Sequence, residues 1–232
     1  MENIFYKLVF MSFSQGLLSD FWVVVAAVIY VIALLLAMRH APWKVLMTNR
    51  VLQHMLFGAT VLLMAMWSMR AGISPGLGIH FLGLTVMTLV FGWDLAILSA
   101  TLALLGMALL GKESWDGLFI NGVCSVLLPV ATTYMIHWWV DHKMGKNFFV
   151  FLFICGFFAA GVSSAVSGIA TSLLLVMDGV YTFEKVFIEY IRYLPLIMFP
   201  EGLMNGIFLT GMLVFHPDWV RAFDAKAYID DQ

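Results

Sequence analysis

The sequence predicts an all-α, polytopic integral membrane protein of about seven transmembrane helices, with its N-terminus outside and its C-terminus inside. Three observations carry this prediction. Of 232 residues, 62% are apolar and 11% are charged, and the mean hydropathy is +0.97. Soluble domains average about 45–50% apolar and about 25% charged residues. Seven apolar runs follow one another along the chain, most of them close to the ~20 residues that cross a hydrocarbon core. Lys and Arg fall unevenly between those runs, and that imbalance orients membrane helices.

The opening Met1–Phe10 carries one Lys and only a short apolar stretch. It lacks the apolar core of a signal peptide and reads as a retained extension. The first run is Phe21–Met38, free of charge. The second, Val51–Met69, is interrupted only by Gln53 and His54. The third and fourth, Leu77–Phe91 and Leu95–Leu110, are short and separated by Gly92-Trp93-Asp94. The fifth spans Leu118–Val140 and the sixth Phe148–Met177, long enough to tilt or kink. The seventh, Tyr193–Phe215, contains Pro195 and Pro200, which membrane helices tolerate because neighbours re-satisfy the freed backbone groups. The whole chain, 1–232, reads as one membrane domain. Residues 1–20 form an N-terminal segment, 21–215 the helical bundle and 216–232 a cytoplasmic tail. No stretch remains for a soluble catalytic domain.

With the N-terminus outside, the inner segments hold Arg39, Lys44, Arg50, Lys143, Lys146, Arg221 and Lys226. The outer ones hold Lys7, Arg70, Lys112, Lys185 and, at an interface, Arg192. Trp138-Trp139, just before Asp141-His142-Lys143, reads as an interfacial anchor. The formal charge of −2 provides no basic field for a nucleic acid. Cys124 and Cys155 both lie in apolar runs and do not form a secreted disulfide framework. There is no P-loop, His-Glu-x-x-His or Gly-x-Ser-x-Gly, and no nucleophile–base pair. The chain is therefore not expected to be an enzyme and carries no covalently bound cofactor.

An ionisable side chain within the bilayer costs about 2.5–3.5 kcal/mol on insertion scales, so each one calls for a reason. His80 ends a segment rich in glycine, Gly72-Ile-Ser-Pro-Gly-Leu-Gly78. Such backbone is allowed at depth only where it lines a cavity. A neutral imidazole there is either a metal ligand or an interfacial group bonded to a carbonyl. His54 lies one turn into the second run and has the same two readings. His137, beside two tryptophans, reads as interfacial, and His40, His142 and His216 as loop residues. Glu201, in Pro200-Glu201-Gly202-Leu203-Met204-Asn205, is a metal ligand, a proton-coupled group, a partner for Arg192 or a packing hydrogen bond. Glu189 and Arg192, three apart, are spaced to pair with each other.

Sixteen methionines raise a copper reading, because thioethers suit Cu(I). Met64 and Met66 nevertheless face different sides of a helix, and methionine commonly fills gaps in apolar interfaces. In the sixth run Gly161 and Ala165, and Ser164 and Gly168, are small residues four apart. They favour close helix packing, either within the bundle or against a membrane partner.

Four segments resemble the cobalt/nickel energy-coupling-factor permeases, the CbiM/NikM-type substrate-binding membrane components. Met11-Ser-Phe-Ser-Gln-Gly-Leu-Leu-Ser19 is similar to the family's N-terminal Met-His-Ile-Pro-(Asp/Glu)-Gly-Phe-Leu-Ser. Pro75-Gly-Leu-Gly-Ile-His80 resembles its Pro-Gly-Gly-x-Ser-Gly-His, and Gly117-Leu-Phe-Ile-Asn121-Gly its Gly-Ala-Asn-x-x-Asn region. Pro200-Glu201-Gly-Leu-Met resembles its Gly-Glu-Ala-Leu. The resemblance implies a seven-span component for uptake of a transition metal (cobalt, nickel or another) in a bacterial inner membrane. It also implies a membrane coupling protein and ATP-binding subunits as partners. In the family an amino-terminal nitrogen, a backbone amide and the second-residue His chelate the metal, and a deeper His completes the site. Here Ser12 stands at the second-residue position and ten residues precede Met11. Of that set only the deeper His is carried over, as His80. The metal-site candidates are thus His80 with His54, Glu201 and Asn121. The alternative is a non-transporting scaffold or assembly factor on a permease fold that has lost the chelate.

Overall fold

Five helices are long and apolar enough to cross a membrane among the residues that this computed structural model describes, namely Phe13, 16–72, 74–224 and Tyr228. They are α1 (Asp20–His40), α3 (Arg50–Ser68), α6 (Leu118–Lys143), α7 (Phe148–Met177) and a final unit, Phe183–Phe215. That last unit comprises α8 (Phe183–Glu189), a 3-10 turn and α9 (Leu194–Phe215). These match five of the seven apolar runs. A short α2 (Trp43–Thr48) links α1 to α3. Residues 1–12, including Ser12 and the N-terminal extension, lie outside the described residues.

The third and fourth runs depart from the expected pattern. The fourth forms α5 (Trp93–Leu109), 17 residues and so at the short end for a span. The third does not form a full-length helix. Its first half is a loop carrying a two-residue antiparallel hairpin, β1 (Ala71–Gly72) against β2 (Gly78–Ile79). Only α4 (Leu84–Phe91) is helical, with eight residues, or about 12 Å of rise. Glycine and proline break the first half, and non-helical backbone survives at depth only when buried in protein. Seven of the eight α4 residues are buried accordingly. The helix packs against α5, α6, α7 and α9.

Gly92 makes the turn from α4 into α5 at φ +88°, with the Arg221 guanidinium directly over its α-carbon, where a side chain would have to go. Arg221 Nη1 donates to Asp94 Oδ1 at 2.7 Å and to the Phe91 carbonyl at 2.9 Å. The Arg221 and Ala222 amides donate to Val90 O and Leu89 O. The start of the expected tail thus folds back onto α4.

Buried hydroxyls tie the helices together: Thr60 to Ser99 at 2.6 Å, Tyr30 to Thr101 at 2.7 Å and Thr85 to Thr133 at 2.8 Å. The small-residue stripe serves the bundle itself. Gly161 lies against the Met198 carbonyl, and Gly168 against Leu194 and Tyr190, so α7 and α9 approach closely. Cys124 and Cys155 are free and buried.

Candidate functional site

The loop between α3 and α4, the start of α6, the middle of α7 and the α8–α9 junction enclose a polar cavity of about 40 Å³. That is room for about three water-sized groups. Arg70 and His80 line it from the loop, Asn121 and Ser125 from α6, and Ser167 and Tyr190 from the opposite side. Phe13, in the segment that resembles the family's N-terminus, also reaches its wall.

The loop is tied down from several sides. Ser74 Oγ donates to Glu189 Oε2 at 2.7 Å, and Tyr181 Oη donates to the Pro75 carbonyl at 3.0 Å. Burial, with the Glu189 charge adding to it, raises the Tyr181 pKa, so the phenol stays a donor. Glu189 therefore holds the loop rather than pairing with Arg192, as its spacing had suggested. Arg192 instead donates to the Tyr193 hydroxyl. The long-range contact wins because Ser74 lies folded against the end of α8, which spacing along a helix does not reveal.

His80 is half-buried, its ring edge-on to Trp67 with centroids 6.0 Å apart. Its Nδ1 lies 3.2 Å from the Phe81 carbonyl. A carbonyl only accepts, so Nδ1 carries the proton and Nε2 keeps its lone pair.

Behind the wall lies a buried polar chain. Arg70 Nη2 pairs with Glu113 Oε1, and Asn121 Nδ2 donates to Glu113 Oε2 at 3.0 Å. Arg70 Nε also donates to the Trp67 carbonyl at 2.6 Å. Ser114, next to Glu113, donates to the Phe13 carbonyl at 2.5 Å. From the sequence alone Arg70 reads only as a loop charge and Glu113 does not stand out. The one available signal was Arg70's position directly before the Gly-rich segment.

The four expected site residues fall into two groups. His80 and Asn121 line the same cavity. Glu201 does not. Its Oε2 accepts the Leu82 amide at 2.9 Å, and its Oε1 accepts the Gly83 amide and Asn205 Nδ2, both at 2.8 Å. Asn205 Oδ1 accepts the Val86 amide at 2.9 Å. Together they cap the N-terminus of α4, whose first amides have no partner within the helix. In the structure Glu201 thus makes packing hydrogen bonds to the start of α4. It fixes the backbone two residues after His80. His54 is exposed at the other end of α3. From there to Ser68 is about 20 Å at 1.5 Å per residue, too far to share a ligand with His80. It lines a separate apolar crevice of about 290 Å³ with Met55, Met66, Met87, Met204 and Met212.

Residues 13–219 match the family described as the cobalt uptake substrate-specific transmembrane region, CbiM. The chain belongs to that family. The CbiM fold is also seen in solved structures. One is a crystal structure of a truncated transition metal transporter, 19% identical, with a TM-score of 0.75 over 89% of this chain and 100% of that one. A second, of a transition metal transporter, is 18% identical with a TM-score of 0.74 over 88% of this chain and 93% of that one. No curated protein sequence matches the chain. Within this CbiM scaffold, no three His, Cys, Asp or Glu side chains converge among the described residues.

Proposed function

We propose that this CbiM-family chain is the substrate-binding membrane component of a transition-metal uptake system, and that the metal is held in the His80 cavity. The observation that carries this reading is the His80 imidazole, held in one tautomer by Phe81 with Nε2 left as a ligand atom, on a cavity shared with Asn121. An imidazole whose other nitrogen is engaged is oriented and made a better donor. Imidazole nitrogen suits nickel, copper, zinc and iron. The Asn121 amide is fixed by Glu113 and offers its oxygen as a further donor.

In this reading the bundle is a bacterial inner-membrane protein with its N-terminus outside and its C-terminus inside. Transport is energised by a separate membrane coupling protein and ATP-binding subunits. The capped α4 and the tied loop hold the ligand atoms in place. Purified protein is expected to bind one transition metal per chain, and His80→Ala to weaken binding more than tenfold. A metal content equal to that of a mock preparation across nickel, cobalt, copper, zinc and iron would contradict the proposal.

A second reading, a scaffold that no longer transports, is favoured by Ser12 at the family's histidine position. The two readings separate on affinity purification from native membranes. An ATPase and a coupling protein among the recovered partners support transport, and their replacement by a metal-insertion or respiratory complex supports the scaffold.

A further inference from the structure

The lining of the His80 cavity is unusual for a cation. Among the described residues no carboxylate or thiolate lines it, and the charged group on its wall is the Arg70 guanidinium. Glu113, just behind, is already engaged by Arg70 and Asn121. The Arg70 side chain is 11% exposed and that of Glu113 3%, so this pair brings no net negative charge. A bare dication entering the cavity would meet only neutral donors and a neighbouring cation, and an uncompensated buried charge is strongly disfavoured.

The same wall is rich in hydrogen-bond donors. Arg70 uses Nε on Trp67 and Nη2 on Glu113, which leaves Nη1 without a protein partner among the described residues. The hydroxyls of Ser125, Ser167 and Tyr190 also line the cavity. A guanidinium with several hydroxyls around one small cavity is a donor set for an anion. The volume of about 40 Å³ admits the metal and something of about two water-sized groups.

We propose that the cavity takes its metal together with a small monovalent anion, of chloride or formate size, with His80 on the metal and Arg70 and the hydroxyls on the anion. This rests on the metal-binding reading above and names the form in which the cargo is bound. The anion halves the charge brought into the cavity and faces the donors that a bare ion would leave unused. A hydrated dication would gain nothing from Arg70.

The test is a titration of the purified full chain with Co(II) in perchlorate medium at fixed ionic strength, against the same medium with chloride or formate. The readouts are affinity and the visible Co(II) spectrum. Affinity is expected to rise at least tenfold with the anion, with the spectrum changing as the anion joins the metal. Arg70→Gln combined with Glu113→Gln removes both charges of the buried pair together, because removing one would strand the other. In that variant the ratio of affinities with and without anion is expected to fall to within twofold of one, whatever the absolute affinity. Ser167→Ala, which leaves the pair intact, is expected to lower the ratio severalfold and provides the same test if the double variant does not fold. Binding of equal strength with and without anion, or an unchanged ratio in the variants, overturns the co-ligand alone. Absence of Co(II) binding in every medium overturns both the co-ligand and the metal-binding reading.

Discussion

His80 and His54 lie at opposite ends of α3 in unlike surroundings. Around His80 the chain converges from the α3–α4 loop, α6, α7 and the α8–α9 junction, and several of its polar groups are oriented by partners. The imidazole is tied to Phe81, Asn121 to Glu113, and the loop to Glu189 and Tyr181. Around His54 the neighbours are methionine, leucine, valine and phenylalanine from α3, α4 and α9, and the ring is exposed. A histidine becomes a ligand through what holds it and what surrounds it, and only the first site has both. The apolar crevice matches methionine's use as a filler between helices. The polar cavity is built around donors and acceptors.

The sharpest way to break this contrast is through the residue that supports His80 without lining its cavity. Glu201→Gln keeps the side-chain shape but replaces one acceptor oxygen with an NH₂ group facing backbone donors at the start of α4. Leaving a buried partner unsatisfied costs about 1–3 kcal/mol. The expected outcome is a lower unfolding temperature in detergent and a severalfold loss of metal affinity, while helical content stays unchanged by circular dichroism. Full affinity with unchanged stability would remove Glu201 from the support of the site.

The smallest effect is expected at the other histidine. His54→Ala removes an exposed ring about 20 Å along α3 from the loop. Metal affinity should change by less than twofold in the titration that registers His80→Ala. A tenfold loss would mean that the crevice, not the polar cavity, holds the metal.

Much of this was legible in the sequence, and the part that was not has a common cause. Phe21–Met38, Val51–Met69 and the fifth to seventh runs became long helices because unbroken apolar length leaves few alternatives in a bilayer. Gly92 broke the chain between the third and fourth runs, and His80 and Asn121 fell on one cavity. The third run misled because hydropathy measures burial, not helicity. Leu77, Leu82 and Leu84 are buried, but the first two lie in a loop held by Ser74, Pro75 and Glu201. Those ties join residues more than a hundred positions apart, and no periodicity along the chain encodes them. Arg70 and Glu113 escaped notice for the same reason: each reads as a loop charge until the fold brings them together.

The most direct measurement of the central claim is a structure of the metal-loaded protein with anomalous scattering recorded at the metal edge. The account predicts one strong peak in the small polar cavity, about 2.0–2.1 Å from His80 Nε2, as expected for a first-row metal on imidazole. A peak among the methionines beside His54, or full metal occupancy with none near His80, would contradict it.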